Sequence, residues 1–270
     1  MRQTSPRRAS IAAILALLLP LVLLVGCGGD DAIREDDRGA EELYSEAKEA
    51  LNARMYEEAI SLYRGLTIRY PFGRHAEQAL LDMAYAQYKA RKPEAAISSL
   101  DRFLRTYPTH PNVDYAWYLK GLVNYDQTMG FLREMFPGTA ADRDQQAAQQ
   151  SFRDFQELIR RFPDSRYVAD ARQRMVFLRN IMAEYEVTVA RYYQRRGAHV
   201  AALNRCRYVI ENYPGAPATV DALQIMARAY DRMEMTELAA DTRRVLEMNY
   251  PDRVDPDEKK SLLDRLWPFD

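Results

Sequence analysis

Cysteine is nearly missing from this 270-residue chain, which has two, and glycine is scarce at 11. Two thiols cannot staple a fold, so the disulfide scaffolds are excluded. Few glycines set against abundant Ala, Leu, Arg, Glu and Gln favour helix throughout, and no β-hairpin signature is present. An excess of one charge is also lacking: 38 Lys and Arg face 39 Asp and Glu. That balance lacks the basic excess a nucleic-acid partner requires, so the charge points to a protein partner or to nothing. Enzyme signatures are missing too. His75, His110 and His199 lie far apart on surface turns, none in an H-E-x-x-H spacing, and there is no G-x-S-x-G elbow or Gly-rich phosphate loop. Acidic residues mostly alternate with Arg and Lys, as on solvated helix faces. We expect no catalytic residue, no metal and no cofactor.

What is present begins with an apolar core, Ile11 to Val25, behind Arg2, Arg7 and Arg8 and ahead of Leu24-Val25-Gly26-Cys27. A span needs ~20 apolar residues, and Pro20 and the glycines beside Cys27 weaken a spanning helix, so a cleaved signal is favoured over an uncleaved anchor. The stretch resembles the signal of bacterial lipoproteins. The resemblance implies that Cys27 becomes the first mature residue and carries three acyl chains. With Gly rather than Asp at position 28, it also implies the periplasmic face of the outer membrane. Residues 1–26 are thus read as signal peptide and 27–39 as a flexible tether. If Cys27 is lipidated, Cys206 has no cysteine left to pair with.

Beyond the tether an aromatic-proline pair recurs: Tyr70-Pro71, Tyr107-Pro108, Phe162-Pro163, Tyr213-Pro214 and Tyr250-Pro251, spaced by 37, 55, 51 and 37 residues. Proline lacks an amide hydrogen and disfavours helical geometry in the residue before it, so each pair ends a helix. Twelve residues before each proline stands a small residue: Ala59, Ala96, Ser151, Ala202 and Ala239. Twelve earlier again are Ala47, Ala84, Ala190 and Ala227. This is the tetratricopeptide (TPR) pattern, in which small residues let the two helices of a hairpin approach closely. The fold expected is all-α, a solenoid of five two-helix repeats, with repeats 1 to 3 over 40–163 and repeats 4 and 5 over 164–251. Cys206 falls at a position packed between helices and reads as a buried, inert thiol.

Three segments depart from the plain repeat. In the third, the first helix, near Asn112 to Asp126, is separated from the second by an insertion carrying Phe131, Leu132, Met135 and Phe136. It is too apolar for an ordinary loop, so it is either a partner surface or folded back on the solenoid. The fourth opens with a long helical stretch, Ser165 to Arg196, able to join the first three repeats to the last two as a stiff strut. In the tail, 252–270, Asp255 to Trp267 reads as a short helix with Leu262, Leu263, Leu266 and Trp267 on one stripe. It is expected to dock as a cap on the outer face of repeat 5, the alternative being a free amphipathic arm for a partner.

Specific strings then resemble the BamD family, lipoproteins of the outer-membrane β-barrel assembly (BAM) machinery. They are Arg69-Tyr70-Pro71-Phe72-Gly73, Pro108 to Tyr115, Asp142-Arg143-Asp144 with Ser151-Phe152, Arg174 to Arg179, Tyr185 to Tyr193, Arg196-Gly197-Ala198 and Asn204-Arg205. The resemblance implies a non-enzymatic scaffold and substrate receptor that binds the periplasmic domains of BamA, the lipoprotein BamC and unfolded outer-membrane proteins. It implies that Tyr70 recognises the aromatic C-terminal signal of substrates, with Arg69, Phe72 and Arg74 presented by the same turn, and that Arg205 serves contact with BamA. Tyr70 also stands where an aromatic packs onto the next hairpin, and both roles are compatible. Phe131 and Phe136 are candidates for partner binding. Two other readings use the same architecture differently: a TPR lipoprotein for cell-wall synthesis or division, or a peptidoglycan hydrolase, which lacks an evident acid-base pair.

Overall fold

The computed structural model describes residues 38–135 and 145–253, with side chains described up to 129 in the first stretch. The signal segment, Cys27, Phe136 and the tail from 254 lie outside the described residues, as does the side chain of Phe131. Ten helices follow one another among the described residues. They are α1 Ala40–Asn52, α2 Tyr56–Arg69, α3 Arg74–Lys89, α4 Pro93–Thr106, α5 Val113–Met135, α6 Gln146–Arg161, α7 Val168–Arg195, α8 His199–Asn212, α9 Thr219–Arg232 and α10 Thr236–Asn249, with a 3-10 turn over Pro251–Arg253. They pair as five hairpins, and each hairpin packs on the next, so the TPR solenoid expected from the small-residue spacing is the fold found.

The five aromatic-proline pairs are five equivalent helix stops. Tyr70, Tyr107, Phe162, Tyr213 and Tyr250 share a non-helical backbone, with φ from −123° to −139° and ψ from 54° to 73°. Each still donates its own N–H to the carbonyl four residues back before the proline ends the ladder. In three of the turns between repeats a second pattern follows. The N–H of His110, Ser165 and Ala216 bonds the carbonyl of the aromatic three residues earlier, and the next helix starts three residues on.

Within hairpins the turns are also of one kind. Arg54, Arg91, Gly197 and Glu234 adopt left-handed backbone, φ 63°, 58°, 73° and 60°. The N–H after each returns to a carbonyl five residues back, which closes a Schellman motif. Three of the four positions therefore hold a residue with a Cβ where glycine would be unstrained.

The hairpins close through the small residues: Ala47, Ala59, Ala84, Ala96, Ser151, Ala190 and Ala202 are fully buried. The third hairpin keeps the pattern through Gly121, 37 residues after Ala84. A Cβ on Gly121 would lie 2.5 Å from the Phe155 ring, and its carbonyl accepts the Ser151 hydroxyl at 2.9 Å. Two apolar clusters result. One runs from Leu43 to Val123, the other from Ala148 to Ile225, and Trp117 of α5 and Phe162 after α6 pack against both.

Two of the departures now have a form. The insertion begins as a continuation of α5, whose backbone stays helical through Phe131 and Leu132 to Met135. The long helix α7 is 28 residues, about 42 Å. It starts at Val168 because Ser165 belongs to the preceding turn, where its hydroxyl donates to Asp114 at 2.7 Å. It packs on α6, α8 and α9, one helix from each of the last three repeats.

Candidate binding surfaces

The first surface is a groove of about 560 Å³ that draws on four repeats: Lys48 of α1, Arg54 in the first turn, Gln78, Asp82 and Tyr85 of α3, Tyr115 of α5, and Arg166 and Tyr167 ahead of α7. Its floor is organised by Asp82, which is 7% exposed. That carboxylate accepts the Tyr44 hydroxyl at 2.9 Å, the Tyr63 hydroxyl at 3.3 Å, Lys48 Nζ at 2.8 Å and Gln78 Nε2 at 2.9 Å. Burial, reinforced by the adjacent Asp82 charge, pushes both tyrosines well above the ordinary phenol value, so they remain donors. Burying a charge this deep is tolerated because it is fully hydrogen-bonded.

Across the groove stand aromatic rings. Tyr115 lies 5.5 Å from Tyr167, and Tyr167 stacks on Tyr118 at 4.6 Å. Tyr118 donates to Asp170 at 2.7 Å, and Arg174 donates to the same carboxylate at 2.6 Å. Partial burial works against ionised Asp170, but these two bonds outweigh it and hold the carboxyl below its usual range. The groove is thus lined by tyrosine rings and by three cations, of which Lys48 pairs with Asp82 and Arg166 lies over the Tyr167 ring at 4.8 Å. Rings of this kind offer apolar area to bury, and cations of this kind pair with carboxylates.

Arg69, Tyr70, Phe72 and Arg74 come together on the turn between α2 and α3, and none of them lines the groove. Tyr70 is half-buried against the first apolar cluster, whereas Phe72 is 88% exposed. Gly73, at φ 97°, directly precedes α3, which starts four residues after Tyr70, whereas the next helix starts six residues after Tyr107, Phe162 and Tyr213.

Arg205 stands on α8 beside a hollow of about 330 Å³ lined by Tyr193, Ala201, Asn204 and Tyr208. It is exposed and also paired within the protein. Its guanidinium bonds Glu186 of α7 at 3.0 Å, and that Glu is 8% exposed overall. Cys206, next in sequence, is fully buried, and burial pushes its thiol up to about 12. The three histidines stay apart and half-buried. His75 packs at 5.4 Å from Tyr44, and His110 packs edge-on at 5.1 Å from Phe103.

Residues missed by the pattern reading are the groove set and Gly121. The signal for Gly121 was there in the 37-residue count. For the groove there was none, because Lys48 and Tyr167 are brought together by stacking, not by spacing.

The family model described as "YfiO: Outer membrane lipoprotein" matches residues 36–246. A protein of Neisseria gonorrhoeae named "Outer membrane protein assembly factor BamD" is 41% identical over 264 residues, covering 98% of this chain and 96% of that one. Proteins of the same name from Xylella fastidiosa (strain Temecula1) and Vibrio cholerae are 40% and 36% identical over 243 and 235 residues. They cover 90% and 87% of this chain, and 83% and 97% of their own.

Proposed function

Because this chain belongs to the YfiO family of outer membrane lipoproteins, we propose that it acts as its relatives' name describes, in outer membrane protein assembly. Its part is that of a non-catalytic scaffold and substrate receptor in a β-barrel assembly complex, held at the periplasmic face of the outer membrane by lipid on Cys27. The observation that carries the receptor role is the groove, whose rings and cations suit an unfolded barrel segment with alternating aromatics and a terminal carboxylate. Tyr70, with Arg69, Phe72 and Arg74, meets the same substrate at the α2–α3 turn. An exposed Phe72 beside a half-buried Tyr70 is the pairing expected of a turn that both packs and binds.

The last two repeats hold BamA, and BamC is a further partner; Phe131 and Phe136 serve partner contact from the insertion. Arg205 marks the BamA surface. At one register of the second helices, repeats 2 and 3 carry Arg102 with Arg105 and Glu157 with Arg160, repeat 1 carries Gly65 with the exposed Ile68, and α10 carries Val245 and Met248, both exposed. The equivalent residues of α8 are Tyr208, which lines the Arg205 hollow, and Glu211, so Tyr208, Val245 and Met248 are the apolar residues that the two final hairpins present at this register.

A crosslinking and co-purification experiment separates the two surfaces. Tyr70→Ala is expected to lower crosslinking of a β-signal peptide to the first two repeats more than it lowers BamA co-purification; equal loss of both would make Tyr70 structural. Arg205→Glu sets two carboxylates together at Glu186, so it tests stability as well as binding. The exchange Arg205→Glu with Glu186→Arg keeps the pair inside the protein. If the outward guanidinium matters, this double variant melts near the parent and still loses BamA; recovered binding would show that only the internal pair counts.

A further inference from the structure

Building on the receptor reading of the groove, we infer that Arg54 binds the C-terminal carboxylate of the segment held there, so that the segment ends at repeat 1 and its preceding residues lie toward repeat 4. The lining carries one acid, Asp82, against three cations, Lys48, Arg54 and Arg166. It therefore keeps an excess of positive charge, although the chain as a whole is balanced. Such a groove selects an occupant with negative charge.

The three cations differ in what already holds them. Lys48 Nζ lies 2.8 Å from Asp82, and giving it to a ligand would leave a carboxylate that is 7% exposed without its counter-ion. Arg166 lies over the Tyr167 ring at 4.8 Å and donates to the Tyr167 hydroxyl at 2.5 Å, which ties its guanidinium to the groove wall. Arg54 is exposed, and its side chain makes no hydrogen bond, ion pair or ring contact among the described residues. An arginine just past a helix end has two ordinary uses, and Arg54 serves neither. It could bond the last carbonyls of α1, but those of Glu49, Ala50 and Leu51 already accept the N–H groups of Ala53, Met55 and Arg54 itself. It could pair with an acid nearby in sequence, but Glu57 is bound by Lys92 of the next repeat at 2.5 Å, and no bond joins Arg54 to Glu58.

Position along the groove turns this free guanidinium into a direction. The hairpins stack in chain order, so Arg54 of repeat 1 and Arg166 ahead of repeat 4 stand at opposite ends of the lining. Between them, Asn52, Gln78 and Asn112 present carboxamides, with Asn112 Nδ2 donating to Gln78 Oε1 at 3.1 Å. A carboxamide both donates and accepts, as a peptide main chain does, so it can bond a segment whatever its side chains. Neither carboxamides nor tyrosine rings distinguish one chain direction from the other. A guanidinium at one end does, because its planar fork matches a carboxylate and a chain has its main-chain carboxylate at one end only. An acidic side chain shares that chemistry, and the experiment separates the two sources.

The test uses the full mature chain and a synthetic peptide with aromatic residues at alternate positions and no acidic side chain, made with a free C-terminal carboxylate and as the C-terminal amide. The free acid is expected to bind about fivefold or more tighter than the amide. Arg54→Gln should abolish that difference and Arg166→Gln should keep it, and both variants should melt with the parent because both side chains are exposed. A photoreactive group beside the carboxylate should crosslink around Arg54, and one at the peptide's N-terminus around Arg166. Equal binding of acid and amide, a difference that survives Arg54→Gln, or the reverse order of crosslinks within the groove overturns the assignment and leaves the groove as receptor. An amide that regains full affinity from an internal Glu would make the anion a side chain, and overturns it too. Absence of binding, or crosslinks outside the groove, defeats the receptor reading and the assignment with it.

Discussion

Gly121 shows how one missing side chain sets a joint. Phe155 fills the place a Cβ would take, and the ring is among the largest fully buried side chains. Gly121→Ala gains under about 1 kcal/mol in helix propensity. It also forces the ring or one helix aside, which costs about 1–3 kcal/mol. A net loss of stability is expected, measured by urea unfolding, and Phe155→Leu in the same background should recover part of it. An unchanged midpoint for Gly121→Ala would mean the hairpin opens freely. The position was legible in the 37-residue period but hidden by the insertion that follows it. The pairing of Arg205 with Glu186 was not legible at all, because a guanidinium on a helix looks the same in sequence whether it faces water or a neighbouring carboxylate.

At the scale of elements, the repeat was readable because its stops are covalent in origin: proline acts on its own backbone whatever surrounds it. The turns inside hairpins were harder to read. Arg54, Arg91 and Glu234 carry no local mark of left-handed backbone, which neighbouring helices impose on them. Replacing Arg91 with Gly relieves about 1–2 kcal/mol of strain and costs about 0.5–1 kcal/mol of chain entropy, so a rise in stability of up to about 1 kcal/mol is expected. Gly197→Ala, at φ 73° with open space around it, should lose about 1 kcal/mol from backbone strain alone. Thermal unfolding of both variants checks the pair. Opposite signs support the turn geometry, and like signs would refute it.

At the scale of the molecule, the order of the hairpins followed from the spacing, whereas the groove did not, since it exists only once α1, α3 and α5 are stacked. Cys27→Ala is expected to release the protein from membranes while circular dichroism stays unchanged, because Cys27 lies ahead of α1, the first helix among the described residues. Unaltered membrane fractionation would defeat the lipid anchor. The position of α5 has its own consequence for how the molecule comes apart. Val113, Ala116, Leu119 and Val123 belong to one apolar cluster, while Tyr118, Leu122 and Tyr125 on the same helix pack against the other. A terminal hairpin can open without disturbing its distant partners, but α5 cannot leave without unmaking both clusters. Amide exchange should therefore be fastest at α1 and α10 and slowest along α5, so that the middle of the chain keeps the longest record of the native state.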